Sequence, residues 1–119
     1  MAPIRDVAVG VKLSLDDDVL SRLGVQKDRE FYRVLPDSPH QRFIRIHHPC
    51  CWPYRPNLIY GIALFEEGEL LGCPPTSVSL PLPDFDALFE EIKLNLQGIL
   101  PVERTDIMIH MTQNSCRCT

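Results

Sequence analysis

Residues 58–65 constrain this chain more than any other stretch. Leu58, Ile59, Tyr60, Ile62, Ala63, Leu64 and Phe65 form an apolar run broken only by Gly61. A run of that length, rich in β-branched and aromatic residues, reads as a strand buried on both faces and therefore as the central strand of a sheet. Just upstream, Phe43, Ile44 and Ile46 make a shorter strand, with Ile44 and Ile46 facing one side and Phe43, Arg45 and His47 the other. Between the two lies HHPCCWPYRP, with prolines at 49, 53 and 56. This insert holds two of the four histidines, two of the five cysteines and the only tryptophan.

The remaining elements follow from periodicity and punctuation. Residues 7 to 15 alternate, Val7, Val9, Val11, Leu13 and Leu15 against Ala8, Gly10, Lys12 and Ser14, which predicts a half-buried strand. Asp16, Asp17 and Asp18 suit a helix N-terminus, and Val19, Leu20 and Leu23 at helical spacing before Gly24 give two turns. The charged stretch Gln26 to Glu30 reads as a connection, and Phe31, Tyr32, Val34 and Leu35 as a short strand closed by Pro36-Asp37-Ser38-Pro39. Beyond the central strand, Glu66-Glu67-Gly68-Glu69 reads as a turn and Leu70-Leu71 as a short returning strand. Residues 74 to 83 are too rich in proline for a sheet interior and read as an extended connection. Asp84 caps the strongest helix, whose stripe is Phe85, Leu88, Phe89, Ile92 and Leu96 and which Gly98 and Pro101 close. A last strand alternates Thr105, Ile107, Ile109 and Met111 with Asp106, Met108, His110 and Thr112.

Each helix needs an apolar surface to cover. One mainly antiparallel sheet with both helices on one face supplies it, so the expected fold is a two-layer α+β sandwich, ferredoxin-like or a close variant. A single domain over residues 1–112 followed by a polar, cysteine-containing tail at 113–119 fits the chain's 119 residues, enough to bury roughly two thirds of the unfolded surface. The apolar fraction of 45% and charged fraction of 24% are ordinary, so a core forms without staples. No secretory signal and no stretch near the ~20 apolar residues of a membrane span are seen, which leads to the expectation of a cytoplasmic or nuclear protein with no membrane contact. Cysteines in such a compartment are free thiols or metal ligands.

Three chemistries can be read from the insert. The first is zinc, with His47, Cys50, Cys116 and Cys118 as the ligand set, in which only the first pair has the usual gap and the second comes from the distant tail. The second is a cysteine nucleophile, Cys50 or Cys51 activated by His47 or His48, for which no orienting group or oxyanion hole has a signature. The third is a surface built from Arg45, His47, His48, Trp52, Tyr54 and Arg55, where cationic and aromatic groups concentrate in an otherwise acidic chain. The formal net charge of −4 argues against generic adhesion to nucleic acid, although base stacking by the Arg/Trp/Tyr loop remains an alternative. No phosphate loop, paired-glycine fingerprint, nucleophile elbow or metalloprotease motif is present. The reading is therefore a non-catalytic binding or regulatory protein without a cofactor, acting through protein contacts and assembling with itself. The alternatives are a zinc protein or Cys/His enzyme centred on HHPCC, and a single-stranded nucleic-acid binder.

Overall fold

The computed structural model describes residues 4–29, 31–48, 55–66 and 80–113, with backbone alone at residues 4, 5, 65, 66, 112 and 113. The first strand, β1 (Ile4–Leu13), leads into α1 (Asp17–Arg22), whose N-terminus Asp16 caps by accepting the Asp18 and Val19 amides at 2.9 and 3.4 Å. Gly24 ends the turn at φ 77, a conformation that L side chains avoid. The hairpin β2 (Val25–Asp28) and β3 (Phe31–Val34) follows, then a 3₁₀ turn at Gln41–Phe43, then β4 (Ile44–His47) and β5 (Asn57–Glu66). The second helix, α2 (Phe85–Asn95), is capped by Asp84, whose carboxylate accepts the Ala87 amide at 3.1 Å. Another 3₁₀ turn at Arg104–Asp106 precedes β6 (Met108–Gln113).

Four strands form one sheet in the order β4-β5-β1-β6, all neighbours antiparallel. Reading the same order from the other edge gives last, first, third and second of the four, the arrangement of a β-α-β-β-α-β ferredoxin-like domain. The β2-β3 hairpin is an insertion between α1 and β4 that forms its own two-stranded ribbon. Both helices cover one face of the main sheet. Leu20 of α1, Leu23 at its C-cap, and Leu88 and Ile92 of α2 share a single core with Val9, Val11, Leu58 and Tyr60. Leu23, Ile92 and the C-cap residue Leu96 are fully buried, so truncating any of them to alanine costs about 2–5 kcal/mol. Arg22 at the end of α1 donates to the Gly98 carbonyl at 3.1 Å, tying the two helix C-termini together.

Four sequence expectations change. The first strand does not run to residue 15: β1 ends at Leu13, and Leu15, expected to face inward, is exposed in the turn that leads to the Asp16 cap. Gln26 to Glu30 is not a plain connection, because residues 25–28 form β2; its side chains are exposed beyond Val25, and a two-sided polar ribbon carries no apolar alternation to announce it. Phe43 does not share a face with Arg45 and His47. The 3₁₀ turn rotates it into the core, where its ring stacks on Tyr60 at 5.5 Å and 14°. Residues 105–107 fall in and just after the second 3₁₀ turn, so the last strand starts at Met108. The proposed return strand at Leu70-Leu71, most of the 74–83 connection and the tail beyond residue 113 lie outside the described residues.

Gly10 and Gly61 pair across the two central strands. A Cβ on Gly10 would overlap the Tyr60 carbonyl oxygen and lie 2.7 Å from the Gly61 Cα; one on Gly61 would overlap the Val9 carbonyl oxygen. The obstructing atoms are backbone, which cannot step aside without separating the strands. Gly61→Ala is therefore expected to cost about 3 kcal/mol or more by overpacking. Gly98→Ala, at φ 81 with open space around it, should cost only the backbone strain of about 1 kcal/mol. Urea melts of the two variants check the contrast, and equal losses would show that the strand contact is loose.

Candidate functional site

The face of the sheet away from the helices carries the candidate site. Strand alternation sends Val9, Val11 and Leu13 of β1 and Leu58 and Tyr60 of β5 into the core, leaving Ala8, Gly10 and Lys12, and Asn57, Ile59, Gly61 and Ala63, on the opposite side. The registers arrange these residues in rungs. Arg45, Ile59 and Lys12 stand side by side on β4, β5 and β1; His47 lies opposite Asn57 one rung outward; Ala63, Ala8 and His110 form a rung on β5, β1 and β6. Between the last rung and the Arg45 rung come the two paired glycines, which carry no side chains, with Met108 beside Gly10 on β6. The result is a concavity of about 540 Å³ bordered by Arg45, His47 and Lys12 at one end and by Asp6 at the other. His110 walls its β6 side, where Nε2 donates to the Gly10 carbonyl at 3.0 Å.

Of the residues picked from sequence as a surface, Arg45 and His47 belong to this concavity. His48 does different work. Its Nε2 accepts the Tyr32 amide at 2.9 Å and its ring packs against Phe31 at 5.4 Å, which fastens the inserted hairpin to the end of β4. Arg55 is exposed. Trp52 and Tyr54, and the proposed ligands or nucleophiles Cys50, Cys51, Cys116 and Cys118, lie outside the described residues. Among the described residues no three His, Cys, Asp or Glu side chains converge on a metal position. Sequence reading missed Lys12, Asp6, Ile59 and His110 as parts of one face. The alternation of β1 was visible, but which strand stood beside which was not.

A second pair of titratable groups sits on the helix side. His40 Nδ1 and the Tyr60 hydroxyl share a hydrogen bond of 2.8 Å, with the phenol completely buried. Burial raises the Tyr60 pKa above its usual value; the Asn95 side-chain hydrogen bond lowers it, nearby Glu91 raises it and Arg42 lowers it. Burial also pushes the His40 pKa below its usual 6.5. With the hydroxyl sealed in the core, the pair anchors the 3₁₀ turn rather than presenting chemistry to a substrate. On the other edge of the helix layer, a groove of about 360 Å³ runs between α2 and β6, lined by Phe85, Phe89, Ile107 and Ile109.

Compared with known proteins, the chain matches no family model, no curated protein and no solved structure. Among the described residues no helix is long and apolar enough to cross a membrane.

Two measurements follow. Because the folded protein holds His40 neutral below the pH at which the unfolded chain protonates it, that contribution to stability is complete above pH 6.5 and is lost as pH falls below it. The urea midpoint should drop between pH 7.5 and 5.5, and His40→Gln should flatten the drop; an unchanged slope in the variant would assign the dependence elsewhere. His48→Ala should leave the main sheet folded while speeding hydrogen exchange at the Tyr32 amide by about tenfold, in line with a lost bond of about 1 kcal/mol. Uniform protection across both proteins would show that the hairpin does not depend on His48.

Proposed function

We propose that this chain is a binding module that acts by contact rather than by chemistry and assembles with itself through the β6 edge of its sheet. The single observation that carries the reading is the character of β6. It is an edge strand that pairs with β1 on one side, and among the described residues nothing pairs with its other side. Residues 107–113 contain no lysine, glutamate, aspartate, arginine or proline, the devices by which edge strands usually resist pairing with another chain. Met108, Ile109 and Met111 are 57, 53 and 63% exposed, and the apolar groove beside Phe85 continues the patch onto α2. An edge of six residues without a formal charge or proline, three of them apolar and exposed, is a template for a second copy.

Two-fold pairing satisfies the pattern. An antiparallel β6–β6 contact centred on His110 sets Ile109 opposite Met111 of the second copy, twice over, so the apolar residues meet each other across the axis. The two four-stranded sheets then run on as one of eight. Three of the four histidines support a contact function as well, since His40 is engaged by a buried tyrosine, His48 by a backbone amide and His110 by a backbone carbonyl. The regulatory partner that such an assembly would present itself to is a protein.

Light scattering behind size exclusion, across a dilution series, tests the assembly. The wild-type chain should show a dimer mass that falls toward the monomer on dilution. Ile109→Lys with Met111→Lys should be monomeric throughout, with a urea midpoint close to wild type because both side chains are already exposed. A wild-type chain that stays monomeric at the highest concentration would overturn the reading.

A further inference from the structure

We propose that the outer face of the inserted β2-β3 hairpin binds single-stranded nucleic acid, with one base stacked on Phe31 and the neighbouring phosphates held by Arg29 and Arg33. The hairpin is fastened at the end of β4, the opposite edge of the sheet from β6, so the site stands apart from self-assembly. Three observations carry it.

The first is the distribution of charge. Residues 22–55 carry seven lysines and arginines against three aspartates and glutamates, whereas the rest of the chain carries five against thirteen. The net charge of −4 is therefore the sum of a basic segment and an acidic remainder, and a polyanion meets the segment. Within it, Arg22 is engaged by Asp18 and Arg42 by Glu91. Among the described residues, Lys27, Arg29, Arg33 and Arg55 are exposed and form no ion pair. Three of these four stand on the hairpin. Arg55 lies two residues before Asn57, at the strand end where His48 holds the hairpin.

The second is a hollow beside an exposed ring. Strand alternation puts Phe31 and Arg33 of β3 on the outer face with Gln26 and Asp28 of β2, while Tyr32 turns into the core. Phe31 is 62% exposed, and its ring leans on that of His48 at 5.4 Å and 59°, so it is braced while most of its surface stays open. The hollow next to it, about 350 Å³, is lined by Asp28, Arg29, Tyr32 and Arg33. Arg33 is steadied by Gln26, whose side-chain oxygen accepts from Nη2 at 3.1 Å, and its other guanidinium donors are left for a phosphate. A nucleotide brings a flat face for Phe31, a phosphate for the arginines and, where the base is cytosine, an amino group for the Asp28 carboxylate. An acidic peptide brings the anion alone, and its carboxylates would meet Asp28.

The third is the backbone of Arg29. Its φ of 57 is the one positive value at a non-glycine residue among those described. In that left-handed region a side chain carries strain that glycine avoids. An unpaired arginine kept there, at the rim of a hollow and beside an exposed ring, serves a ligand better than it serves the turn. Lys27, Arg29 and Arg33 together offer more positive charge than one phosphate takes up, which favours a strand over a free nucleotide.

Fluorescence anisotropy of the full-length protein with labelled oligodeoxycytidylate and oligodeoxythymidylate, each of about twelve nucleotides, tests the site. The cytidylate should bind more tightly, and its affinity should fall about tenfold between about 50 and 200 mM salt, the response to two or three neutralised phosphates on a single strand. Oligoribocytidylate in parallel distinguishes RNA from DNA. Phe31→Ala should weaken every oligomer about tenfold. Arg29→Gly should weaken them about fivefold and flatten the salt response, with a urea midpoint equal to wild type or higher because the backbone is relieved. Asp28→Asn should remove the preference for cytidylate over thymidylate. Cytidine monophosphate binding as tightly as the oligomer, an oligoglutamate peptide competing at equal concentration, affinity unmoved by Phe31→Ala and Arg29→Gly, or no anisotropy change at about 100 µM protein in low salt would each overturn the proposal.

Discussion

The contact between Gly10 and Gly61 is what the rest of the structure leans on. The two glycines face each other across the antiparallel pair, and the approach there leaves no space for even a methyl group. The strands concerned are the two central ones, so every other layer is referred to them. On the helix side, the close pairing sets Val9, Val11, Leu58 and Tyr60 into the compact base on which both helices rest. On the other side, the same missing side chains leave the bare rung at the centre of the concavity. One steric requirement thus shapes both faces.

The two faces are stabilised differently. The helix side is a continuous apolar cluster in which the buried Tyr60 hydroxyl is matched by His40, while Asp16, Asp84 and the Arg22 contact with Gly98 finish the helix ends at its exposed rim. The matching is needed because an unpaired buried polar group costs about 1–3 kcal/mol. The other side has no second layer of helices or strands among the described residues; Lys12 is exposed there, and Arg45 and His47 are half-buried. The inserted hairpin is attached by Val25 and Tyr32, buried in the core, by Val34 packed against it, and by His48 at the strand end, so apolar burial and a hydrogen bond both hold the small ribbon.

The fold was legible in the sequence because its strong elements are strongly periodic. The alternation of residues 7–15, which overshoots the end of β1 by two residues, the stripe on α2, the capping aspartates and the apolar run of β5 each place an element and its buried side, and the need to cover two helix faces leads to the two-layer sandwich. What escaped was local or relational. The β2 strand is polar beyond Val25 and announces itself only by pairing with β3. Phe43 follows the spacing of a strand, yet a 3₁₀ turn redirects it to Tyr60. The candidate site was half legible. Arg45 and His47 stood out as a local cluster, whereas Lys12, Ile59 and Asp6 join them only through strand registers that no single stretch of sequence encodes. His48 looked identical to His47 in the sequence and differs because alternation sends adjacent residues opposite ways.

The placement of β1 bears on how the chain is made as well as on what it becomes. Its inner partner β5 lies some fifty residues downstream, and its outer partner reaches it across 100 residues, the separation of His110 from the Gly10 carbonyl it contacts. At ordinary translation rates the wait for that last strand is on the order of ten seconds. Throughout it, Val7, Val9 and Val11 form an apolar ribbon with one or both edges unsatisfied. A glycine at its midpoint is a poor partner for indiscriminate strand pairing, since it adds chain entropy and no side chain to pack. The residue demanded by the finished sheet therefore also keeps the nascent strand from committing early to a neighbouring chain.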